Sequence, residues 1–306
     1  MRLELSINNC FAVKRWPRPD DWMPIVRERL GLRLVQHSLD LVDLTGTRVF
    51  PDSQADALRR AAGEHEVDIQ STFTGLAAYS ANLLLHPGVA EREHARAWFG
   101  RAIAFTGMLG AEATGGHVGA FSVADWRSSS SRADRWKDLQ ASLDGLSREA
   151  HEAGLSYLVV ENLAAAREPS TMSMIRELLR AGDDSHVPVR LCLDVGHMCT
   201  PGTSGADRDP YAWLRELGGD AAMVQLQQSA AEGDHHWPFT AERNAVGRIA
   251  ADRVIDALGE SGADEVLLLL EIIPPFEQDD DDVIDDLLES VDYWRDALAR
   301  RGLGAV

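Results

Sequence analysis

Eight short apolar runs alternate with eight longer amphipathic or polar segments along the 306 residues. That alternation restricts the fold more than any other feature. Strands that each pass into a helix before the next strand must run parallel. The runs are Leu3–Ile7, Leu32–Gln36, Val67–Thr72, Ala111–His117, Leu155–Val160, Val189–Leu193, Ala221–Gln227 and Glu265–Leu270. Eight such units in about 300 residues predict a single-domain (β/α)8 TIM barrel spanning 1–306. The rival is an open doubly wound sheet. It lacks support, because no glycine-rich GxGxxG turn follows the first strand.

Helix signals fit the same scheme. Asp20-Asp21 can start a helix running to about Leu30, and Asp52 or Ser53 one reaching about Glu66. Further helices are predicted over about 89–109, 132–153, 170–181, 210–217 and 247–258. The acidic run Asp279–Asp282 suits the start of a last helix, where negative charge complements the dipole. Phe73–Gly88 shows no clear period and reads as a long loop, a common setting for function, and Ser229–Arg243 reads as a further loop.

Composition narrows the partners. With 30 Lys and Arg against 49 Asp and Glu, the formal charge is −19. This disfavours nucleic acid and anionic membrane surfaces. No long uncharged apolar run provides a membrane span, and the N-terminus lacks the apolar core of a signal peptide, so a cytoplasmic protein is expected. Cys10, Cys192 and Cys199 form no even framework and no CxxC pair, which fits reduced thiols.

In a barrel, groups at the C-terminal strand ends converge on one mouth. Three predicted strands end on carboxylates: LVVEN on Glu161, LCLDVGH on Asp194, and LLLLEI on Glu271. His37, Thr72, His117, His197, Gln225 and Gln227 also fall at strand ends. Buried together, three carboxylates repel one another, and a divalent cation is the simplest compensation. Oxygen-rich donors favour Mn²⁺ or Mg²⁺ over structural zinc. Asp194 could instead cap the next helix, and each glutamate could pair with an arginine at the rim.

Glu161-Asn162, Asp194-Val-Gly-His197, a polar seventh strand end and Glu271, in this order, resemble the xylose-isomerase-like barrel superfamily. The sugar isomerase and epimerase branch, with its ketose 3-epimerases, is the nearest fit. The resemblance implies a divalent metal, Mn²⁺ first with Mg²⁺ or Co²⁺ as alternatives, held by Glu161, Asp194, a strand-seven residue and Glu271. Where the family usually has histidine, this chain has Gln225, with Gln227 on the same side by the period of a strand. The resemblance further implies that Glu161 and Glu271 form the acid/base pair for proton transfer beside a carbonyl through an enediolate. It gives His197 a substrate oxygen to bind.

His117, Gln227 and His236 are further candidates for contact with a small sugar. His235 or His236, in the stretch GDHHW, could also complete the metal site. The same site chemistry would serve a lyase, as in deglycosidases that cleave 3-oxo-glycosides, some of which work with a small partner subunit. A homo-oligomer is the other assembly expected. A sugar-binding barrel without turnover is a third reading. The scarcity of lysine, with only Lys14 and Lys137, argues against a Schiff-base aldolase.

Overall fold

In the computed structural model, described for residues 1–45, 49–180 and 186–303, ten strands appear. They are β1 (Arg2–Asn8), β2 (Leu34–Ser38), β3 (Asp68–Phe73), β4 (Ala113–Gly116), β5 (Tyr157–Glu161), β6 (Val189–Asp194), β7 (Ala221–Leu226), β8 (Gln228–Ala230), β9 (Gly233–Trp237) and β10 (Glu265–Leu270). Among the described residues, eight of them close into a barrel in the order β1-β10-β7-β6-β5-β4-β3-β2, and β8 and β9 form a separate hairpin. The expected (β/α)8 barrel is therefore observed. The end predicted for the helix over about 170–181, at Ala181, lies outside the described residues.

The chain divides into two compact units. The first comprises residues 1–36, 60–68 and 192–303. Its centre is the parallel pairing of β1 with β10, from Arg2↔Glu265 to Ile7↔Leu270. β10 pairs in turn with β7, from Leu267↔Met223 to Leu270↔Leu226. Leu268, Leu269, Leu270, Met223 and Val224 are fully buried. Each such leucine contributes about 1.5–3 kcal/mol through burial. This continuous apolar pattern, without polar alternation, is what a strand covered on both faces requires. The helix Pro210–Leu217 packs on Ala251–Glu260, which packs on Asp280–Arg300. Trp213 and Trp294 fill their inner faces. Asp279 caps the last helix by accepting the Asp281 N–H at 3.0 Å, as the acidic run suggested.

The second unit comprises residues 37–59 and 69–191, apart from those not described. β3 pairs with β4 and β4 with β5, all parallel. The helix Val89–Leu109 packs on Ser129–Glu152. β4 reads ATGG, and its glycines are required. Gly115 has φ +148°, and a Cβ there would meet the Val159 carbonyl oxygen at 1.9 Å.

The two stretches read as loops carry structure. Phe73–Gly88 contains short 3-10 turns at Leu76–Ser80 and Leu83–Leu85. Ser229–Arg243 contains the hairpin strands β8 and β9 and a short helix, Ala241–Val246. Strands of three and five residues carry too few apolar positions to show a period. Side chains hold them instead, with the Ser229 hydroxyl donating to the Gly233 carbonyl at 2.9 Å.

The helix expected from Gly247 begins at Ala251. Gln228 explains the delay. Its Oε1 accepts the Ile249 N–H at 2.9 Å, its Nε2 donates to the Ile249 carbonyl at 2.9 Å, and a Cβ on Gly247 would strike its amide. The segment 247–249 is thereby held against the side chain of Gln228 and cannot turn into helix. Likewise Ser128 is a cap, accepting the Ser131 N–H at 3.2 Å, so the long helix starts at Ser129 and not at Arg132.

Candidate active site

β6 ends on Asp194, whose Oδ1 accepts the Gly196 N–H at 2.6 Å. This turn fixes the carboxylate and brings His197 back beside it. Only glycine fits at 196, because a Cβ would lie 2.3 Å from the Gln227 side-chain amide carbon. Gln227 follows β7 and binds both Asp194 oxygens through Nε2, at 3.1 and 3.2 Å. It also donates to Asp234 at 2.7 Å. Its Oε1 accepts the His236 N–H at 2.7 Å. The hairpin is thus tied back over the strand ends by one side chain.

The hairpin delivers two groups. Asp234 Oδ2 sits 3.2 Å from His197 Nε2 and 3.3 Å from His236 Nε2. Donor atoms of Asp194, His197 and His236 all lie within 4.8 Å of one another, a spacing that suits one metal ion. Glu271, just past β10, accepts from Gln225 Nε2 at 2.8 Å and from Asn8 Nδ2 at 3.2 Å, both through Oε1. Asn8 also donates to Gln36 at 2.8 Å. Glu271 Oε2 is buried without a hydrogen bond, and His236 Nδ1 stands 3.6 Å from it. No arginine among the described residues reaches Glu271, which removes rim pairing as its explanation.

Electrostatics follow from this crowding. Burial pushes the Glu271 carboxyl up to about 7, against the pull of His236. Burial opposes charge on His236, yet Asp234, Glu271 and Asp194 outweigh it and lift the imidazole to about 9. Burial would also raise Asp234, but His197 and His236 hold it well below the ordinary carboxylate range. Protons compensate the carboxylates here, and a divalent cation can take their place. Buried oxygen and imidazole donors, with one carboxylate oxygen left without a hydrogen bond, fit such an ion.

In the second unit Glu161 closes β5, fully buried. Its Oε2 accepts a short hydrogen bond from the Tyr79 hydroxyl. The Tyr79 ring meets His117 edge-on, with centroids 4.6 Å apart. His117 Nε2 lies 3.3 Å from Glu168 Oε1, and its backbone N–H donates to Thr74. Tyr79 and His117 thus form one polar wall beside Glu161.

Of the residues expected from sequence, Asp194, His197, Gln225, Gln227, His236 and Glu271 come together in the first unit. Glu161 and His117 come together in the second. Asn8, Gln36, Tyr79, Glu168 and Asp234 escaped the sequence reading. Tyr79 and Asp234 lie in the two long loops, the one signal that could have found them. His235 stacks on Trp237 with ring centroids 3.9 Å apart, and the Arg243 guanidinium lies 4.7 Å from the Trp237 ring centroid. Cys10, Cys192 and Cys199 form no disulfide. Among the described residues no helix is long and apolar enough to cross a membrane.

The barrel and its carboxylate-bearing strand ends define a family. The chain belongs to the xylose isomerase-like TIM barrels, whose family model matches residues 28–297. Among individual relatives, it is 28% identical to D-erythrulose 1-phosphate 3-epimerase of Brucella abortus, over 96% of each chain. A solved structure of a candidate xylose isomerase from Rhodospirillum rubrum superposes with a TM-score of 0.89. That protein is 32% identical, over 96% of this chain and 99% of the other. D-Psicose 3-epimerase of Clostridium cellulolyticum, solved with D-tagatose, shares the fold at a TM-score of 0.71. It is 15% identical, over 96% and 99% of the two chains.

Proposed function

We propose that this chain is a divalent-metal-dependent sugar isomerase or epimerase that inverts or moves a stereocentre beside the carbonyl of a small ketose. Donor atoms of Asp194, His197 and His236 within 4.8 Å of one another, with Glu271 beside His236 and its Oε2 left without a hydrogen bond, carry the reading. The full-length similarity to a D-erythrulose 1-phosphate 3-epimerase supports a short ketose, phosphorylated at one end, as substrate. Likeness to the xylose isomerase-like family supports Glu161 as a further ligand.

A divalent cation held by Asp194, Glu271 and Glu161, Mn²⁺ first with Mg²⁺ or Co²⁺ as alternatives, would polarise the ketose carbonyl and its neighbouring hydroxyl. The protein's own groups do the rest. One of the two glutamates takes the proton from the carbon beside the carbonyl, leaving an enediolate. The other returns it from the opposite face. A carboxyl raised by burial is suited to both halves of that exchange at neutral pH. Tyr79 orients Glu161. Asp234 fixes the His197 ring for contact with a substrate oxygen.

The test is proton NMR in D₂O with Mn²⁺ on a panel of ketoses, ketose phosphates and 3-keto-glycosides. Deuterium should enter the carbon beside the carbonyl while a second sugar appears. Release of an aglycone would replace this reading by a lyase. Absence of exchange on every substrate by metal-loaded protein would refute it.

A further inference from the structure

We infer that His236, from the β8–β9 hairpin, supplies the metal-binding imidazole that strand β7 lacks, and that Gln227 is the residue that positions it. The inference rests on the metal-dependent reading above. It replaces Gln225, the ligand expected from the resemblance.

Both β7 amides are held through their nitrogens. Gln225 points Nε2 at Glu271 Oε1, at 2.8 Å. Turning that amide over would set its oxygen against a carboxylate oxygen. Gln227 spends Nε2 on Asp194 and Asp234, and Oε1 on the His236 N–H. Turning it over would face an oxygen to two carboxylates and a nitrogen to an N–H. Hydrogen bonding therefore fixes both orientations: Gln227 has its oxygen on a backbone N–H, and Gln225, whose Oε1 is buried without a hydrogen bond, turns its nitrogen and not its oxygen to Glu271.

The His236 ring has the arrangement of a ligand. Its Nε2 stands 3.3 Å from Asp234 Oδ2, the carboxylate partner that metal-bound histidines commonly use on their far nitrogen. Its Nδ1 lies 3.3 Å from the Glu271 carbonyl oxygen and 3.6 Å from Glu271 Oε2, the carboxylate oxygen without a hydrogen bond; the tautomer with Nδ1 unprotonated turns a lone pair toward that carboxylate, and an ion there takes the place of the carbonyl contact. A cation with bonds of roughly 2.1 Å holds adjacent donors about 3.0–3.4 Å apart. The two atoms need close by only a few tenths of an ångström to share one.

The backbone is committed to this placement. His236 adopts φ +48°, a left-handed conformation that side chains other than glycine rarely take. It is held there by the Gln227 amide and by its own carbonyl, which accepts the Ile273 N–H at 3.1 Å. A strained histidine pinned on both sides, between two acids, is an arrangement worth keeping only for what the ring does.

Electron spin-echo modulation of Mn²⁺-loaded protein reads directly bound nitrogen, and calorimetry reads affinity. His236→Asn should lose the nitrogen modulation and bind Mn²⁺ at least tenfold more weakly, while His197→Asn keeps the modulation. Gln227→Leu should keep the modulation yet weaken binding. Modulation that survives in His236→Asn, or unchanged affinity there, overturns the inference. Should His236→Asn fail to fold, anomalous scattering from Mn²⁺-soaked wild-type crystals decides. A peak about 2.2 Å from the ring is expected, and one beyond bonding distance refutes it. Nitrogen-bound Mn²⁺ with no deuterium exchange on any sugar would sink the epimerase reading and leave His236 a ligand. Exchange together with wild-type Mn²⁺ affinity in His236→Asn would do the reverse.

Discussion

His37 gives a stability prediction that can be worked through in numbers. It lies in β2, is 2% exposed, and its ring tilts on Phe105 at 6.4 Å. Burial pulls its imidazole down to about 4, from an ordinary value near 6.5. The folded protein therefore holds His37 neutral where the unfolded chain takes up a proton. Between pH 6.5 and 4 the unfolded state binds more protons, so stability falls as pH falls. Linkage gives a loss of about 2 kcal/mol by pH 5 and about 3 kcal/mol once pH drops below 4. The His37→Leu variant removes the titration and leaves every other group in place. Urea unfolding of both proteins at pH 7.5, 6 and 5, with refolding checked, isolates the effect as a difference. The wild type should lose about 2 kcal/mol more than the variant between pH 7.5 and 5. Parallel pH dependences would show that His37 is protonated as readily in the folded protein as outside it.

Three further outcomes follow from the site. Chelation by EDTA should lower the melting temperature of Mn²⁺-loaded protein, since an ion at a hundred times its dissociation constant contributes about 2.7 kcal/mol to the folded state; an unchanged melt would count against the cluster. Mn²⁺ must displace protons held by His236 and Glu271, raised to about 9 and about 7. Its apparent affinity by calorimetry should therefore strengthen from pH 6 to pH 8, and a flat profile would contradict the shared proton load. Tyr79→Phe removes the hydrogen bond to Glu161. At about 1.5–3 kcal/mol for a bond to a charged group, kcat should drop roughly 10- to 100-fold with little change in KM, and a wild-type rate would remove Tyr79 from the site.

The barrel was legible because its strands are covered on both faces, so Leu267–Leu270 and Leu191–Leu193 stand out as short apolar runs between polar segments. Asp194, Glu271 and Glu161 were legible for a related reason: a charge at the end of such a run must have a purpose or a partner. The hairpin was not legible. Its register depends on the side chains of Gln227, Ser229 and Gln228, and contacts of that kind leave no periodic trace. Tyr79 was hidden similarly, on a 3-10 turn that no pattern marks. The resemblance puts the strand-seven ligand at Gln225, whereas the hairpin folds His236, nine residues beyond Gln227, back onto the Gln227 side chain.

Gln227 and Gln228 are consecutive yet face opposite ways, one holding the hairpin and the other the segment 247–249. The chain from 227 to 249 is therefore one cassette with two latches. A loop exchanged from a relative would seat only if both amides came with it, or if Gly247 were retained to receive the second. With His236 as the ligand, a relative that carries a histidine on strand β7 is freed to lose its hairpin altogether, and loop length after β7 should track the identity of that one residue.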